Sequence, residues 1–397
     1  MSWTPSGLGL TIFNERYTRF EGESWAEACR RVANHVATAE DSGKMQKYSD
    51  KYCQELVENR LNPGGRIWYG AGRAKAQLSN CFVLPTSDSR EGWGKTVSDV
   101  IVVSGLMGGI GINCSPIRPR GSDIHGTGGK ATGAVSLMEI INGVGNVIVG
   151  GGGRRMALML CLDITHPDLM EFIHKKLDRN QLNNANISVV LTFDTEKFIQ
   201  MVKDNAPINL EFNNKSYSVI YAGDLWRIIV KNAWDSGEPG ILNGFFANAM
   251  NSLAYYSDLF STNPCGEQWL FPYDACCLGA LVLPRFVKDG KMDWDQLDST
   301  IRTRVRFLDD VISVNYYPLQ EIKETVESIR RIGLGVMGLH SMLLELGYKY
   351  SSPKGHEFID QLFSFIKNTA YDASINLAIE KGPFPVYDDK YLDHGFS

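Results

Sequence analysis

Three cysteines, an asparagine and a glutamate lie close together in the segment TNPCGEQWLFPYDACC, residues 262–277. In its first half, Asn263, Cys265 and Glu267 alternate with a proline and a glycine, which disfavour regular helix, so we expect an extended or turning loop. In extended backbone every second side chain points to one side, which would place an amide, a thiol and a carboxylate on one face. A neighbouring carboxylate raises the pKa of a thiol by charge repulsion. This environment suits a sulfur that works as a neutral thiol or as a thiyl radical.

The other cysteines decide how much weight this pattern deserves. A single loop cysteine is more often a small packed hydrophobe than a catalyst. Here, however, Cys276 and Cys277 follow Cys265 after ten residues, and Cys81 follows Asn80 in the separate stretch LSNCFVLP. Eight cysteines are too few for a disulfide scaffold in a chain of this size, and they lack paired CxxC zinc spacing, so we expect no metal site. If any pair oxidises, the reason is expected to be chemistry.

Composition excludes several classes of protein. The chain has 397 residues, of which 44% are hydrophobic and 21% charged, with a net charge of −5. Its lysines and arginines are scattered, which argues against a nucleic-acid or membrane surface. The uncharged stretch 100–117 is broken by glycines and a proline, so we expect no membrane helix. The N-terminus lacks the pattern of a signal peptide, which predicts a cytoplasmic protein.

The hydrophobic pattern predicts a helical start followed by an α/β region. Residues 24–60 show helical spacing, with Ser24 and Glu27 placed as a capping box. From Arg66 onward, short β-branched or aromatic runs alternate with helical stretches, which favours a largely parallel sheet or barrel. Residues 319–381 are predicted to be mostly helical.

Several motifs together carry a family resemblance. They are LNPGGRIWYGAGR, SNCFV, GGIGINCSPIRPRGSDI, GGGGRRMALMLCLDITHPDLMEFIHKK, NNANISVVLT, AWDSGEPGI, TNPCGE with YDACCLGALVLPRFV, and RRIGLGVMGLHSML. In this order they resemble the catalytic chain of ribonucleotide reductases, most closely the adenosylcobalamin-dependent class II. The resemblance implies a ten-stranded α/β barrel of two half-barrels with a finger loop inside it. We therefore expect a helical N-terminal region over 1–62 and a barrel over 63–397 that lacks the usual last strands.

The resemblance also implies a role for each residue of the cysteine-rich segment. Cys265 matches the thiyl-radical residue that removes the 3′-hydrogen of a ribonucleotide, in a family that uses the radical to make deoxyribonucleotides for DNA synthesis. Glu267 matches the carboxylate that takes the 3′-hydroxyl proton, and Asn263 matches an amide that hydrogen-bonds the ribose. Cys81 and Cys276 match the dithiol that becomes a disulfide as the 2′-hydroxyl leaves as water. Cys277 stands where the family usually has asparagine, so whether Cys276 or Cys277 pairs with Cys81 stays open, with Cys276 favoured by position.

Nucleotide contacts are expected elsewhere in the chain. The resemblance implies a specificity loop that relays the identity of a bound dNTP or ATP effector, at Gly152, Gly153, Arg154 and Arg155. For the substrate, whether a ribonucleoside diphosphate or triphosphate, the candidate contacts are Asn80, Gly64, Gly65 and Arg66. An exposed glycine turn with solvated arginines is the competing interpretation of the first set.

The two ends of the sequence raise questions about partners. No ATP-cone precedes the barrel motifs, so we expect no shut-off by dATP through such a cone. Relatives continue past the position of Ser397 into a phosphate-binding loop, further strands and a cysteine-bearing tail, so the sequence is either a fragment or is completed by a second polypeptide. The lack of an insertion that imitates a second subunit favours a homodimer, and the external reductant is expected to be thioredoxin-like.

Four interpretations therefore remain from the sequence. A class II reductase chain is favoured. The alternatives are a class I large subunit served by a separate radical subunit, an anaerobic glycyl-radical enzyme, and a non-catalytic or incomplete nucleotide-binding chain. Glu267 and the dithiol pattern argue against the third, and the intact set of site residues argues against decay.

Overall fold

The computed structural model describes residues 3–148 and 156–390. Within them are fourteen α-helices and fourteen β-strands. The helices are α1 (Gly7–Arg16), α2 (Trp25–Ala37), α3 (Ser42–Val57), α4 (Gly65–Gly70), α5 (Arg90–Gly105), α6 (Ala134–Val147), α7 (Leu169–His174), α8 (Thr195–Lys203), α9 (Ala222–Ser236), α10 (Gly244–Ala249), α11 (Trp294–Val314), α12 (Gln320–Ile329), α13 (Leu339–Glu345) and α14 (Pro353–Lys381). The strands are β1 (Leu61–Pro63), β2 (Cys81–Leu84), β3 (Gly109–Asn113), β4 (Leu158–Asp163), β5 (Ala185–Leu191), β6 (Pro207–Phe212), β7 (Lys215–Tyr221), β8 (Gly240–Asn243), β9 (Ser261–Thr262), β10 (Trp269–Leu270), β11 (Leu278–Val282), β12 (Val287–Lys288), β13 (Lys291–Met292) and β14 (Gly333–Met337).

The chain forms two compact units. The first unit combines the residues up to Asn80 with Cys276–Tyr387, and the second unit contains Cys81–Ala275. The chain therefore leaves the first unit just before one predicted redox cysteine and returns to it at the other.

A five-stranded sheet forms the centre of the second unit. Its order is β2-β3-β4-β5-β8, and every neighbouring pair is parallel. Successive strands are connected through the helices α5, α6, α7, α8 and α9, as expected for parallel strands that need long crossovers. The predicted alternation of strands and helices is confirmed here, and five parallel strands equal one half of the ten-stranded barrel that the resemblance implies. The run INLEF differs from this alternation, because it forms β6 of an antiparallel hairpin with β7.

Local signals explain where several helices begin and end. The predicted capping box is confirmed: the Glu27 N–H donates to the Ser24 hydroxyl at 3.3 Å, and the Ser24 N–H donates to the Glu27 carboxylate at 2.8 Å. The helical run predicted over 24–60 is two helices, α2 and α3, with a break between them. Helix α9 ends at Gly237, whose φ of 85° is a left-handed cap.

The first unit packs helices onto a small sheet. Strand β11 lies between β1, with which it is antiparallel, and β14, with which it is parallel. A buried apolar cluster joins β11 to α11, α13 and α14, and it includes Leu281, Ile301, Leu343 and Leu362. Within residues 319–381, α12, α13 and α14 are interrupted by one strand, β14, so most of the helical prediction for this stretch is confirmed.

Buried charges tie the end of α14 to α11 in the first unit. The Arg306 guanidinium donates to both carboxylate oxygens of Glu40, at 2.5 and 2.7 Å, and to those of Glu380, at 2.7 and 2.8 Å. Asp310 accepts from the Tyr52 hydroxyl at 2.6 Å and from the Lys381 ammonium at 2.7 Å. Because Glu40, Arg306 and Asp310 are buried, these three depend on their partners for stability, whereas Glu380 and Lys381 are exposed.

No helix in the two described ranges is both long enough and apolar enough to span a bilayer. The uncharged stretch considered from the sequence divides between the end of α5 and β3.

Candidate active site

The cysteine-rich segment begins with a short hairpin, which we call the finger and define as residues 261–270. Strands β9 and β10 pair antiparallel, and residues 263–268 form the turn between them. The Asn263 N–H donates to the Gln268 carbonyl at 3.2 Å, and the Gln268 N–H donates back to the Asn263 side-chain oxygen at 3.1 Å. The Gly266 N–H donates to the Asn263 carbonyl at 3.0 Å. Asn263 therefore closes the turn with both its backbone and its side chain.

This turn changes the expected directions of the three polar side chains. Asn263 is fully buried, whereas Cys265 and Glu267 are exposed. Of the two predicted loop conformations, extended or turning, the structure has the turn. The three side chains of Asn263, Cys265 and Glu267 therefore do not share the one face that extended backbone would give them. The cause is Gly266, whose φ of 79° is a left-handed conformation that reverses the chain. The thiol and the carboxylate thus lie on the open side of a turn held from beneath by the amide.

Glycines on β3 let the finger lie directly on the sheet. A Cβ at Gly109 would lie 3.0 Å from Pro264 Cγ and 3.1 Å from Cys81 Sγ. A Cβ at Gly111 would lie 2.8 Å from the Thr262 carbonyl carbon and would overlap the carbonyl oxygen. The glycine-rich motif GGIGINC therefore provides the close backbone approach that glycine allows, and it is part of a strand.

The same face of the sheet contacts the finger on two further strands. The Asn186 amide on β5 donates to the Pro264 carbonyl at 2.9 Å. The Ser261 hydroxyl donates to Cys161 Sγ on β4 at 3.6 Å. Beside them an apolar cluster of Met159, Cys161 and Val190 packs with Leu242 and with Trp269 of the finger. Three strands thus fix the position of the hairpin that carries Cys265.

Cys81 lies next to the finger in the second unit. It is the first residue of β2 and is half-buried, and the Asn263 amide donates to its sulfur at 3.7 Å. The structure therefore brings Asn263, Cys81 and the Cys265 turn together.

In the first unit, Asn80 lies beside Gly64 and Arg66, two of the other candidate substrate contacts. A Cβ at Gly64 would lie 2.9 Å from Asn80 Oδ1, and the Arg66 N–H donates to the same oxygen at 3.3 Å. The Arg66 side chain is 5% exposed; its guanidinium donates to the Gln77 carbonyl at 3.3 Å. The Tyr17 hydroxyl lies 3.0 Å from the position of a Cβ at Gly65. Asn80 and the glycines are thus adjacent, whereas the Arg66 charge is directed into the protein.

The adjacent cysteines of the first unit differ in their surroundings. Cys276 is fully buried, and its carbonyl accepts the Asn80 N–H at 3.2 Å. The Cys277 thiol faces α11, where it donates to the Leu308 carbonyl at 3.3 Å. Burial raises the pKa of Cys277 to about 12, and the nearby Arg304 guanidinium opposes this shift. Cys277 is therefore a protonated thiol packed into the helical layer.

All eight cysteines are thiols, and Cys265 is the exposed one. Burial raises the pKa of Cys29, Cys114 and Cys161, so these three are packed, protonated thiols. The described part of the chain has no cluster of three or more His, Cys, Asp or Glu side chains that could hold a metal ion.

The predicted specificity loop, Gly152, Gly153, Arg154 and Arg155, lies outside the described residues. Sequence reasoning missed Asn186 and the two glycines under the finger as site residues. Both motifs that contain them were noticed, but neither contains a pattern that shows which side chain contacts the finger. Only pairing between strands, with Gly111 opposite Met159 and Met159 opposite Asn186, aligns them.

Comparison with known proteins identifies the family of the chain. Residues 79–397 match the family model described as the ribonucleotide reductase barrel domain, and residues 4–76 match the model of the all-alpha domain of the same enzymes. The chain belongs to the ribonucleotide reductase family. The mixed α/β class with a helical N-terminal layer and a barrel domain is thereby confirmed.

Individual reductases show how far the similarity extends. The chain is 34% identical over 392 residues to a vitamin B12-dependent ribonucleoside-diphosphate reductase of Mycobacterium tuberculosis H37Rv, which covers 96% of this chain and 55% of that protein. It is 38% identical over 348 residues to the enzyme of the same name from Thermoplasma acidophilum, covering 86% and 44%. A large subunit of ribonucleoside-diphosphate reductase from variola virus is 29% identical over 373 residues, covering 86% and 48%. The chain thus spans about half the length of these reductases.

Proposed function

We propose that this chain carries the radical site of a class II ribonucleotide reductase, which converts ribonucleotides to 2′-deoxyribonucleotides for DNA synthesis. The observation that carries the proposal is the exposed Cys265 thiol at the tip of a finger that Asn263 closes and the glycines of β3 support. Such support keeps a reactive sulfur within the small tolerance that catalysis requires. The vitamin B12-dependent names of the similar reductases favour class II.

In the proposed mechanism, Cys265 and Glu267 act on the ribose 3′ position. The Cys265 thiyl radical removes the 3′-hydrogen, and the Glu267 carboxylate accepts the 3′-hydroxyl proton. Both side chains are on the open side of the turn, as a substrate approaching from that side requires. Asn263 supports this step from beneath, and we retain its implied contact with the ribose as part of the proposal.

Two cysteines supply the reducing equivalents. Cys81 and Cys276 lose two electrons and become a disulfide while the 2′-hydroxyl leaves as water, so one ribonucleotide and two thiols give one deoxyribonucleotide, one disulfide and one water. We prefer Cys276 over Cys277, because the Cys277 thiol is engaged with the Leu308 carbonyl in the helical layer.

The open surface around Cys265 fits a bulky cofactor that must reach the thiol. A Cβ at Gly266 would contact only Leu242 Cδ2 among the described residues, at 3.6 Å, so the turn presents little obstruction. Cys265, Gly266 and Leu242 would meet adenosylcobalamin there. When bound, the cofactor would supply the one-electron oxidation that makes the thiyl radical.

Nucleotide binding is proposed from the remaining candidates. Gly64, Gly65 and Asn80 offer backbone and amide groups to a substrate, whether a diphosphate or a triphosphate, and we keep Arg66 as a residue that supports this turn. Gly152, Gly153, Arg154 and Arg155 are proposed to relay the identity of a dNTP or ATP effector. The division into a helical region over 1–62 and a reductase region over 63–397 belongs to the same proposal.

The partners are proposed as well. They are a complementing polypeptide, a second copy of this chain and a thioredoxin-like reductant, and the proposed location is the cytoplasm. A class I large subunit is the second candidate, favoured by the similarity to the variola virus large subunit.

The test is anaerobic reduction of CDP and CTP with adenosylcobalamin and dithiothreitol, using the wild-type chain with any polypeptide that co-purifies with it. We expect deoxynucleotide formation that Cys265→Ala abolishes and that identifies the accepted phosphate state. Cys276→Ser and Cys277→Ser form a matched pair: the first should stop turnover and the second should leave it close to wild type. Activity that needs a metal-containing radical subunit and not the cobalamin would replace class II by class I, and turnover by Cys265→Ala would refute the proposed site.

A further inference from the structure

Asn186 lies where β5 meets the finger. It is the second residue of that strand and is exposed, and its side-chain amide donates to the Pro264 carbonyl at 2.9 Å. Asn186 is in register with Met159, which is in register with Gly111. Asn186 therefore lies in one row across the sheet with Met159 and Gly111, and Gly111 contacts the finger backbone at Thr262.

The position of Cys265 depends on the peptide that this hydrogen bond holds. Pro264 has a fixed φ because of its ring, so the orientation of its carbonyl is the remaining rotation before Cys265. The peptide bond between Pro264 and Cys265 is planar, and a carbonyl fixed in direction therefore fixes the direction in which Cys265 starts. On the other side of Cys265 the chain continues into Gly266, a conformationally permissive residue. Asn186 thus adds a constraint on the thiol from the N-terminal side, through the Pro264 carbonyl.

An amide is well suited to this position. It is a neutral donor, whereas a carboxylate of the same shape would present an acceptor to the Pro264 carbonyl and be repelled. A protonated carboxyl group regains one O–H donor. The chemistry of the contact therefore gives a substitution whose effect depends on pH.

We propose that Asn186 is a positioning residue for Cys265, setting the direction of its thiol through the Pro264 carbonyl. The proposal rests on the radical chemistry proposed above and adds a residue on β5 to it. Loss of the amide should lower kcat for nucleotide reduction with little change in KM, because Asn186 acts through the finger on the reacting sulfur.

The experiment compares Asn186→Ala and Asn186→Asp with wild type. Asn209→Ala is the matched control, since Asn209 is an exposed strand asparagine on β6 of the same unit. The first measurement is the rate at which iodoacetamide labels the Cys265 peptide, followed by mass spectrometry, which needs no turnover. The second is kcat and KM for anaerobic CDP reduction by the same complex used for the wild type.

We expect Asn186→Ala to lower kcat about tenfold, as the loss of one hydrogen bond allows, and to change the labelling rate of Cys265. Asn209→Ala should match wild type in both measurements. For Asn186→Asp, the labelling rate relative to wild type should return toward one as pH falls from about 7 to about 4, because the carboxyl group then becomes a donor. A merely structural residue would give a ratio that does not change with pH.

Two results separate this proposal from the proposed function. Wild-type labelling and wild-type kcat in Asn186→Ala, or a pH-independent ratio in Asn186→Asp, would overturn the role of Asn186. If the wild type fails to reduce nucleotides while Asn186→Ala still alters Cys265 labelling, the proposed function fails and the positioning role stands.

Discussion

Replacing Gly111 by alanine tests whether the sheet sets the position of Cys265, the proposed radical cysteine. The new Cβ would lie 2.8 Å from the Thr262 carbonyl carbon, with the oxygen closer still. Carbon atoms in contact prefer about 3.5–4.0 Å, so clearing the carbon alone needs about 0.7 Å and clearing the oxygen more. The finger must therefore move by on the order of 1 Å, because Gly111 belongs to a strand paired on both sides.

A displacement of this size has a predictable effect on catalysis. A misplacement of about 1 Å can cost about 100-fold in rate, so kcat for nucleotide reduction should fall about 100-fold in Gly111→Ala. Overpacking of this kind costs about 1–3 kcal/mol in stability, so the variant should still fold. Gly111 does not have a positive φ, so alanine is compatible with the backbone and the effect arises from the contact with the finger.

Two further glycines calibrate the measurement. Gly109→Ala would place its Cβ 3.0 Å from Pro264 Cγ, a milder conflict that should reduce kcat less. Gly143→Ala is the control, because it lies in α6 and its Cβ would have no described neighbour within 4 Å. The assay is anaerobic CDP reduction, with iodoacetamide labelling of Cys265 as a readout independent of turnover. Wild-type kcat and labelling in Gly111→Ala would refute the argument that the finger rests on β3.

Three predictions concern stability and pH. Arg306→Met should lower the free energy of unfolding by about 3–5 kcal/mol in urea titration, because it leaves the buried Glu40 carboxylate without its bidentate partner. Arg302→Met, at a half-exposed ion pair, should change the free energy of unfolding by at most about 1 kcal/mol. Equal effects of the two substitutions would show that burial of the pair is unimportant. Burial raises the pKa of Asp310 to about 7, above an unfolded value of about 3.9, so the folded state holds this proton more tightly than the unfolded state. As pH rises from about 4 to about 7, the free energy of unfolding of the wild type should therefore fall, relative to that of Asp310→Asn, by no more than about 4 kcal/mol. Parallel pH profiles of the two proteins would contradict this. Asn263→Ala removes the side-chain oxygen that accepts the Gln268 N–H and closes the finger turn. It should lower the free energy of unfolding by about 1–3 kcal/mol and alter the labelling rate of Cys265. An unchanged labelling rate would contradict this prediction.

The sequence alone located the candidate site residues of the finger. Asn263, Cys265 and Glu267 stand together in one turn, so their proximity follows from chain connectivity and from the proline and glycine between them. The capping box at Ser24 and the parallel sheet were likewise predictable, because capping and the alternation of strands with helices are local patterns.

Directions of side chains required the tertiary structure. The amide of Asn263 turns inward and the thiol of Cys265 outward because the turn closes on itself and on β3, and neither contact is visible in local spacing. Our preference for Cys276 over Cys277 likewise rests on α11. The Leu308 carbonyl of that helix, 31 residues from Cys277 in sequence, accepts a hydrogen bond from the Cys277 thiol.

The sequence by itself therefore determined which residue types meet in the finger and which family they indicate, since these properties are encoded by neighbours along the chain. Only the tertiary structure decided that Gly109 and Gly111 lie against the finger and that Asn186 donates to the Pro264 carbonyl, just before Cys265. The physical reason is strand pairing: Gly111, Met159 and Asn186 are far apart in sequence but are aligned across β3, β4 and β5 by the register of their hydrogen bonds.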